Sequence, residues 1–289
     1  MTDLAAVVLA AGAGTRLAPL TRLRPKALCP VATRPLVDHA LARVATVVTD
    51  PGAVAVNLHH GGAALDAHLP AGVHRSWERT EALGTAGALG ALRPWLQGRS
   101  VLVTNADAWL APSLADTGRT DTGPSVDRLN DTGVTNSGPG GGSARDPDLG
   151  RFVSDWDGDR VRLLCVETDG PADFGTLRYC GVALLPAASV SRLGAEPSGL
   201  YEVLWRDEAA AGRLDLVVHP GEFVDCGTPA RYLHANLLAS RGASVVDPTA
   251  TVGRGAVLDR CVVWDHSEVA PGEHLVDAVR AGPLTVLVR

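Results

Sequence analysis

The residues best suited to chemistry lie near the start of the chain, in the segment LAAGAGTRLAPLTRLRPKALCPV at positions 9–31. Gly12 and Gly14 follow an apolar run, and glycines in such a loop let backbone N–H groups approach phosphate oxygens closely. Arg16 and Lys26 can add positive charge to this cradle. The segment lacks the Gly-Lys-Ser/Thr of a Walker A loop and the third glycine of a dinucleotide fingerprint. It therefore predicts a phosphate-binding loop of another kind.

Lys26 is the only lysine among the 289 residues, and the other 25 basic residues counted with it are arginines. Codon bias explains such a ratio wherever a generic positive charge is enough. The single lysine therefore marks a position at which arginine does not replace a compact ammonium group.

Two aspartates, Asp107 and Asp225, each follow an apolar run. Taken alone, an aspartate in that position most often caps a helix or closes a turn. Carboxylate oxygens are also the ligands that Mg²⁺ prefers. Both interpretations stay open on these residues alone.

The elements that must position these residues follow from the spacing of apolar residues. Strands are predicted at 4–10, 53–58, 100–104, 160–167, 177–185, 214–219 and 222–224, and helices at 36–47, 62–69, 85–95, 186–193, 200–211 and 229–240. Strands and helices alternate over the first hundred residues, which predicts a parallel, doubly wound sheet there. In such a sheet, ligands bind beyond the carboxyl ends of the strands.

Two regions interrupt this pattern, so we divide the chain into a domain at 1–241 and an extension at 242–289. Residues 117–150 are rich in Thr, Asp, Ser, Pro and Gly, which predicts a flexible insertion. In the extension, apolar residues recur at steps of five or six, at Val246, Val252, Leu258, Val263, Val269 and Leu275. This rhythm predicts short parallel β-helix coils, with an irregular β extension as the alternative.

Composition excludes several classes of protein. A formal charge of −6, 4% aromatic residues and the lack of a Lys/Arg run argue against a nucleic-acid partner. The first residues show neither a basic leader nor a bilayer-spanning apolar run, so we expect a soluble cytoplasmic protein with no membrane partner. The five cysteines are odd in number and widely spaced, which predicts neither a disulfide framework nor a zinc site.

Together the motifs resemble those of the sugar-1-phosphate nucleotidyltransferases. The segment at 9–31 has their Gly-x-Gly-Thr-Arg, Pro-Leu-Thr and Pro-Lys, and AVNLHH at 55–60, EALGTAG at 81–87, NAD at 105–107, RYCGV at 178–182 and DCGTP at 225–229 follow in order. The resemblance covers most of residues 4–240. It implies an α/β fold with a Rossmann-like, doubly wound mixed sheet of the nucleotide-diphospho-sugar transferase type, followed by a short β-helix-like extension.

The resemblance implies an Mg²⁺-dependent enzyme that transfers a nucleotidyl group from an NTP to a sugar 1-phosphate, releasing pyrophosphate. Arg16 would hold the leaving β,γ-phosphates, and Lys26 would bind the α-phosphate and the incoming sugar phosphate. Asp107 and Asp225 would bind the Mg²⁺.

The resemblance also places residues around the two substrates. Nucleotide-binding roles fall on Ala11, Gly12, Gly14, Thr15, Glu81, Gly84, Thr85 and Asn105, and sugar-binding roles on Glu167 and Gly181. As an alternative, Gly84 and Thr85 only cap the helix that they open. Asn57 and the two histidines after it are a weaker signal, more typical of packing or surface residues.

The sequence departs from the family after the insertion. Relatives usually carry Glu-Lys-Pro there, with a lysine that meets the sugar phosphate, whereas this chain reads Cys165-Val-Glu-Thr. Either Arg162 or Arg178 compensates for the missing lysine, or the acceptor differs.

Three functions stay open. The motif Leu83-Gly-Thr-Ala-Gly favours GTP and a GDP-mannose type of product, and the segment at Asn57 fits a uridylyltransferase acting on N-acetylmuramate 1-phosphate or another hexose 1-phosphate. A catalytically silent, nucleotide-sugar-binding regulatory subunit is the alternative from a different class, supported by the lost lysine and opposed by both cations and both carboxylates. The extension is a candidate surface for homo-oligomer formation.

Overall fold

A computed structural model describes residues 4–111 and 149–288. The strands are β1 (Leu4–Leu9), β2 (Pro30–Val31), β3 (Arg34–Pro35), β4 (Val54–Leu58), β5 (His74–Trp77), β6 (Ser100–Asn105), β7 (Ala108–Leu110), β8 (Val161–Glu167), β9 (Leu177–Leu185), β10 (Leu214–Val218), β11 (Phe223–Asp225), β12 (Val245–Val246), β13 (Thr251–Val252), β14 (Val257–Val263), β15 (Glu268–Val269), β16 (His274–Ala281) and β17 (Leu284–Leu287). The α-helices are α1 (Leu36–Ala45), α2 (Gly62–His68), α3 (Gly84–Leu96), α4 (Leu149–Ser154), α5 (Ala187–Val190), α6 (Arg206–Ala210) and α7 (Pro229–Ala239). Single turns of 3₁₀-helix lie at Thr15–Leu17, Leu20–Arg22, Lys26–Leu28 and Pro51–Ala53, and a π-helical turn lies at Tyr201–Trp205.

A seven-stranded sheet forms the centre of the molecule, in the order β10-β8-β9-β6-β1-β4-β5. Strand β9 is antiparallel to both of its neighbours, and the other strands all run in one direction. The amino end of β9 therefore lies at the same edge of the sheet as the carboxyl ends of the other six strands.

Apolar side chains fill both faces of this sheet. In β1, Ala6 and Val8 pack with buried residues of α1 and α2, while Ala5 and Val7 pack on the opposite face with residues of α3. Helix α1 forms because Val37, Ala40 and Val44 recur at helical spacing and are buried together. The predicted α/β fold with a doubly wound mixed sheet is confirmed.

Several element boundaries differ from the prediction. The helix predicted at 200–211 divides into the π-helical turn and α6, and the one at 186–193 shortens to α5. Strands β5 and β7 were not predicted. Of the insertion predicted at 117–150, only the last two residues are described: Leu149 and Gly150 begin α4, and Leu149 is buried in the core. The rest lies outside the described residues.

The extension after residue 241 forms short strands with parallel pairing. Strands β12, β14 and β16 are parallel neighbours, β13 pairs with β15, and β17 is antiparallel to β16. The predicted apolar row pairs with itself, Val246 with Val263, Val252 with Val269 and Leu258 with Leu275, and all six residues share one apolar cluster. The assignment of this region to the β-helix class stays a prediction.

A separate apolar cluster joins the extension to the preceding domain. It includes Leu17 and Cys29 from the predicted phosphate-binding segment, Tyr232 from α7, and Trp264 and Val279 from the extension. In residues 4–111 and 149–288, no helix is long and apolar enough to cross a bilayer.

Candidate active site

A cleft of about 220 Å³ opens at the carboxyl edge of the central sheet. The predicted site residues that line it are Ala11, Gly12, Lys26, Gly84, Thr85, Asn105 and Asp107. Four different stretches of sequence therefore meet at one place, beyond the ends of β1 and β6. A second cavity, of about 440 Å³ between α3 and α5, contains none of the predicted site residues.

Four charged side chains form a connected cluster at this cleft. The Lys26 ammonium donates a hydrogen bond to Oδ2 of Asp107 and lies 3.6 Å from Oδ1 of Asp225. Nη2 of Arg16 lies 3.4 Å from Oδ2 of Asp225. The Lys26 side chain is 10% exposed and that of Arg16 is 70% exposed. We name these residues, Arg16, Lys26, Asp107 and Asp225, the charged cluster.

The backbone brings the two aspartates of the cluster together. Asp107 lies between β6 and β7, and Asp225 ends β11, which pairs with β7 so that Asp225 lies opposite Ala108. The Cys226 N–H donates to the Asp107 carbonyl over 3.1 Å. Arg43 is buried and donates to the Ala108 carbonyl over 3.1 Å, so it supports β7 as well.

Lys26 reaches the cluster because the chain turns tightly at Gly14. Gly14 has φ +62°, and a Cβ atom there would lie 2.9 Å from the Cβ of Lys26 and from Cγ2 of Thr21. Gly14 is therefore required for the turn and for the packing of Lys26. Thr15 is exposed at the start of the following 3₁₀ turn.

Gly12 differs from Gly14 in that folding does not require it. Its φ lies outside the left-handed region, and a Cβ atom there would meet nothing within 4 Å. An added methyl group would project into free space beside the cleft that Gly12 lines. A ligand that approaches the backbone explains this glycine better than a turn does.

Gly84 and Thr85 open α3, as predicted, but they also pack against a later segment. A Cβ atom on Gly84 would lie 2.5 Å from the Ser198 carbonyl oxygen, and the Thr85 hydroxyl accepts from the Leu200 N–H over 2.8 Å. The Ala86 N–H at the start of the helix donates to the same Ser198 carbonyl over 3.0 Å. As an alternative role, Gly84 and Thr85 were predicted to cap this helix. The residue before the helix makes no capping side-chain hydrogen bond, and the Ser198 carbonyl accepts from the first turn instead.

A buried polar network supports the cleft from behind, and its central residue was not predicted. Asn57 accepts from the Ala10 N–H over 2.6 Å and donates to Glu78 over 2.7 Å, and the second carboxylate oxygen of Glu78 accepts from the Leu83 N–H over 2.8 Å. Glu78 is 4% exposed. The network ties the loop after β1 to the loop before α3. Glu81, predicted to bind nucleotide, is exposed and does not line the cleft.

The predicted sugar-binding residues lie on β8 and β9, and neither of them lines the cleft. Gly181 in β9 has φ +84°, and a Cβ atom there would lie 2.6 Å from the Cβ of Ala108 and 3.4 Å from that of Asn105. Gly181 therefore permits β9 to approach the loop that bears Asp107. Glu167 ends β8, two strands away from β6 at the same edge of the sheet, and is exposed.

Of the two arginines considered for the sugar phosphate, the structure uses Arg162 elsewhere. Arg162 is 8% exposed, and it donates to Asp215 over 2.5 Å and to the carbonyls of Phe152 and Asp155. The assignment of Arg162 to the sugar phosphate is therefore wrong. Arg178 lies half-buried over the ring of Phe223, 5.6 Å from its centroid, and within residues 4–111 and 149–288 no carboxylate pairs with it.

The cysteines near the site are not nucleophiles. All five cysteines of the chain are buried and none is bonded to another. Burial raises the pKa of the Cys29 thiol to about 12, and burial raises that of Cys226 well above its usual value, with a further contribution from the Asp107 charge. Both thiols are protonated at neutral pH.

Asp107 and Asp225 are the residues of the charged cluster that could bind a metal ion. Carboxylate oxygens of Asp107 and Asp225 both lie beside Lys26, and each oxygen keeps a lone pair that these contacts do not use. No group of three or more His, Cys, Asp or Glu side chains in the described parts of the chain could bind a metal. Two carboxylates fit Mg²⁺, which keeps several waters and binds phosphate oxygens of the substrate.

Comparisons with known proteins confirm the resemblance that the motifs predicted. Residues 5–120 match the family model described as nucleotidyl transferase. An N-acetylmuramate alpha-1-phosphate uridylyltransferase of Caulobacter vibrioides is 40% identical over 114 residues, which are 36% of this chain and 46% of that protein. The chain thus matches less than half the length of this relative. A probable mannose-1-phosphate guanylyltransferase 2 of Arabidopsis thaliana is 25% identical over 88% of this chain and 74% of that protein.

Solved structures confirm the fold. A Thermus thermophilus protein described as mannose-1-phosphate geranyltransferase superposes with a TM-score of 0.67 at 18% identity, covering 99% of this chain and 95% of that one. A putative glucose-1-phosphate thymidylyltransferase of Bacillus anthracis superposes with a TM-score of 0.57 at 18% identity, covering 82% and 95% of the two chains.

Proposed function

We propose that this protein transfers a nucleotidyl group from an NTP to a sugar 1-phosphate and releases pyrophosphate. The observation that carries the proposal is the charged cluster, in which two cations from one segment and two carboxylates from two others meet at the carboxyl edge of the sheet. The match of residues 5–120 to a nucleotidyl transferase family supports the same reaction class.

In this reaction a phosphate oxygen of the sugar 1-phosphate attacks the α-phosphorus of the NTP. The new bond joins that oxygen to phosphorus, the bond from the α-phosphorus to the bridging oxygen of the β-phosphate breaks, and pyrophosphate leaves with the electron pair. The attacking oxygen is already deprotonated at neutral pH, so no general base is required. Positioning and charge neutralisation then supply most of the rate acceleration.

The cations of the cluster divide this task. Lys26, held by Asp107 and close to Asp225, binds the α-phosphate and the incoming sugar phosphate. Its ammonium is compact and can donate to several oxygens in different directions. Arg16 is exposed at the rim and neutralises the leaving β,γ-phosphates. The backbone at Gly12 and Gly14 lies beside the triphosphate.

Asp107 and Asp225 would bind Mg²⁺, which supplies charge neutralisation at the phosphate oxygens when it is bound. In the structure Lys26 occupies the space beside these carboxylates. Its three N–H groups can also donate to phosphate oxygens from that place, and the remaining lone pairs of the carboxylates would bind the metal.

Two substrate pairs fit the proposal. GTP with mannose 1-phosphate is favoured by the Leu83-Gly-Thr-Ala-Gly motif and by the Arabidopsis relative, which aligns over 88% of the chain. UTP with N-acetylmuramate 1-phosphate is favoured by the higher identity to the Caulobacter relative, 40% over 114 residues. The first pair is our proposal and the second is its alternative.

A pyrophosphate-release assay with four NTPs, a panel of sugar 1-phosphates, and Mg²⁺ or EDTA tests the proposal. We expect turnover with GTP and mannose 1-phosphate that EDTA abolishes. Turnover with UTP and N-acetylmuramate 1-phosphate would instead identify the alternative substrates. No turnover with any pair, together with micromolar nucleotide binding by calorimetry, would show that the protein is a silent binding subunit.

A further inference from the structure

The extension contacts the segment that bears Lys26. Nη2 of Arg24 lies 2.8 and 3.0 Å from the two carboxylate oxygens of Asp265, between β14 and β15. The Arg24 guanidinium also lies 4.7 Å from the centre of the Trp264 ring. Arg24 is two residues before Lys26, so these contacts hold the chain immediately before the lysine.

A second set of contacts holds the chain after the lysine. The Trp264 indole N–H donates to the Tyr232 hydroxyl over 2.9 Å, and that hydroxyl donates to the Pro30 carbonyl. Asn236, one turn further along α7, accepts from the Ala32 N–H over 3.0 Å. Trp264 therefore takes part on both sides, with its ring face toward Arg24 and its N–H toward Tyr232.

The residues that make these contacts differ in burial. Tyr232 is fully buried and Trp264 is 2% exposed, so their hydrogen bonds are shielded from water. The Arg24 to Asp265 pair is about one-third exposed, and an isolated pair of that kind adds little to the stability of a fold. The pair therefore matters more for orienting Arg24 than for stabilising the fold.

We propose that Trp264 and Asp265 are positioning residues for Lys26. They fix residues 24–32 at both ends, so that the four-carbon stem of Lys26 extends from a rigid backbone and its ammonium stays between Asp107 and Asp225. Without that support the lysine loses order, and a displacement of about 1 Å at a reacting group lowers rates by up to about a hundredfold. The catalytic consequence rests on the proposed function, whereas the structural consequence does not.

The single lysine allows a direct test. Reductive methylation with ¹³C-formaldehyde labels Lys26 and the N-terminal amine and keeps both charges, and a labelled Lys26→Arg sample identifies the Lys26 signal by its loss. The variants are Asp265→Asn, Trp264→Phe and the exchange Arg24→Asp with Asp265→Arg. Asp277→Asn is the matched control, because it breaks a similar pair, that of Asp277 with Arg260, which lies entirely within the extension.

We expect Asp265→Asn and Trp264→Phe to shift or broaden the Lys26 signal and to lower kcat about tenfold with a smaller change in KM. The exchange variant should recover part of the wild-type Lys26 signal and part of kcat. Asp277→Asn should change neither the Lys26 signal nor kcat. A Lys26 signal that stays at the wild-type position in both single variants would overturn the proposal, whatever happens to stability. If the wild type releases no pyrophosphate, the proposed function fails, and the NMR signal alone still decides the positioning role.

Discussion

Lys26 donates a hydrogen bond to Asp107 across 81 positions of sequence, and its ammonium lies 3.6 Å from Asp225. The ammonium of Lys26 therefore connects Asp107, which follows β6, with Asp225, which ends β11, although the two aspartates lie far apart in the sequence. The contact requires a group that can donate in several directions from a single nitrogen. This geometry gives a physical reason for a lysine at this position in a chain that otherwise uses arginine.

The first prediction is that Lys26→Arg is far more damaging than this exchange usually is. The planar guanidinium is larger than the ammonium and cannot lie between the two carboxylates in the same way. We expect turnover to fall by about a hundredfold or more, while the variant unfolds at nearly the wild-type temperature. Pyrophosphate release measures the turnover, and calorimetry measures the unfolding temperature. Turnover within a factor of three of wild type would show that codon bias is a sufficient explanation of Lys26.

The second prediction concerns the proposed metal. Asp107→Asn and Asp225→Asn each remove a charged oxygen ligand, and we expect the Mg²⁺-dependent turnover to fall by about a hundredfold or more in both. Asp159→Asn, on an exposed turn, is the control. The measurement is a Mg²⁺ titration of pyrophosphate release. A variant of either cluster residue that keeps both the wild-type turnover and the wild-type dependence on Mg²⁺ concentration would exclude that residue as a ligand.

The third prediction separates a glycine needed for binding from one needed for folding. Gly12→Ala adds a methyl group into free space at the cleft, so we expect unchanged stability and a raised KM for the NTP. Gly90→Ala places a methyl group 1.8 Å from the Gly194 carbonyl oxygen. This substitution usually stabilises a helix by about 1 kcal/mol, but here the clash should lower the free energy of unfolding by about 3 kcal/mol.

Urea unfolding and steady-state kinetics of both glycine variants check this contrast. A Gly12→Ala variant that unfolds early would show that Gly12 is a folding residue after all. A Gly90→Ala variant as stable as wild type would show that the segment around Gly194 moves away from α3 at little cost.

The fourth prediction is a loss of stability in mild acid through His219. The His219 ring is buried and donates through Nε2 to the Ala111 carbonyl over 3.1 Å, and burial lowers the pKa of its imidazole. The unfolded chain, with a histidine pKa of about 6.5, therefore takes up the proton first as the pH falls. The free energy of unfolding should decrease from about pH 6.5 down to the folded-state pKa and then level off.

Urea unfolding at pH 7.5 and pH 5.5 measures this loss. His219→Gln should reduce the difference between the two pH values, and the exposed His274→Gln should not. The remaining loss in His219→Gln includes a contribution of the same sign from His74, whose pKa burial also lowers. An unchanged pH dependence in His219→Gln would assign the acid response to other groups.

The fifth prediction concerns the sugar phosphate. Arg178 lies against Phe223, which shares a short strand with Asp225, and it is the arginine of the two considered that the structure leaves without a carboxylate. We expect Arg178→Gln to raise the KM for the sugar 1-phosphate about tenfold with little effect on the KM for the NTP. Arg160→Gln, an exposed neighbour of β8, is the control. Equal KM values in the two variants would exclude Arg178 from acceptor binding.

Local sequence predicted the elements with strong apolar runs and missed those without. The strands β1, β6 and β9 are apolar and buried, and each was predicted to within two residues. Strand β5 reads HRSW and is only partly buried, so its pattern carries no clear period. The direction of β9 depends on which strands it joins, and no local pattern specifies that.

The candidate site was singled out in the sequence through its glycines and charges, whereas the residues that support it were not. Glu78 is defined by contacts to Asn57 and Leu83, which a single sequence does not reveal. Arg162 was misplaced because its strand register, unknown in advance, turns it toward Asp215. The links that α7 and the extension make to residues 24–32 join positions more than 200 apart, and no spacing rule could find them.

The reversed direction of β9 has a consequence for how such a protein can diversify. Residues before 111 supply the loop at Gly12, the start of α3 and Asp107, whereas residues after 149 supply Glu167, Arg178 and Gly181 at the same edge of the sheet. The two halves of the chain meet at several places: β6 pairs with β9, β7 pairs with β11, the Ser198 carbonyl accepts from the first turn of α3, and Asp225 approaches Lys26. Substitutions at Glu167 and Arg178, which lie on strands away from α3, should leave the loop at Gly12 and the start of α3 in place, whereas a change near Ser198 would also disturb the first turn of α3.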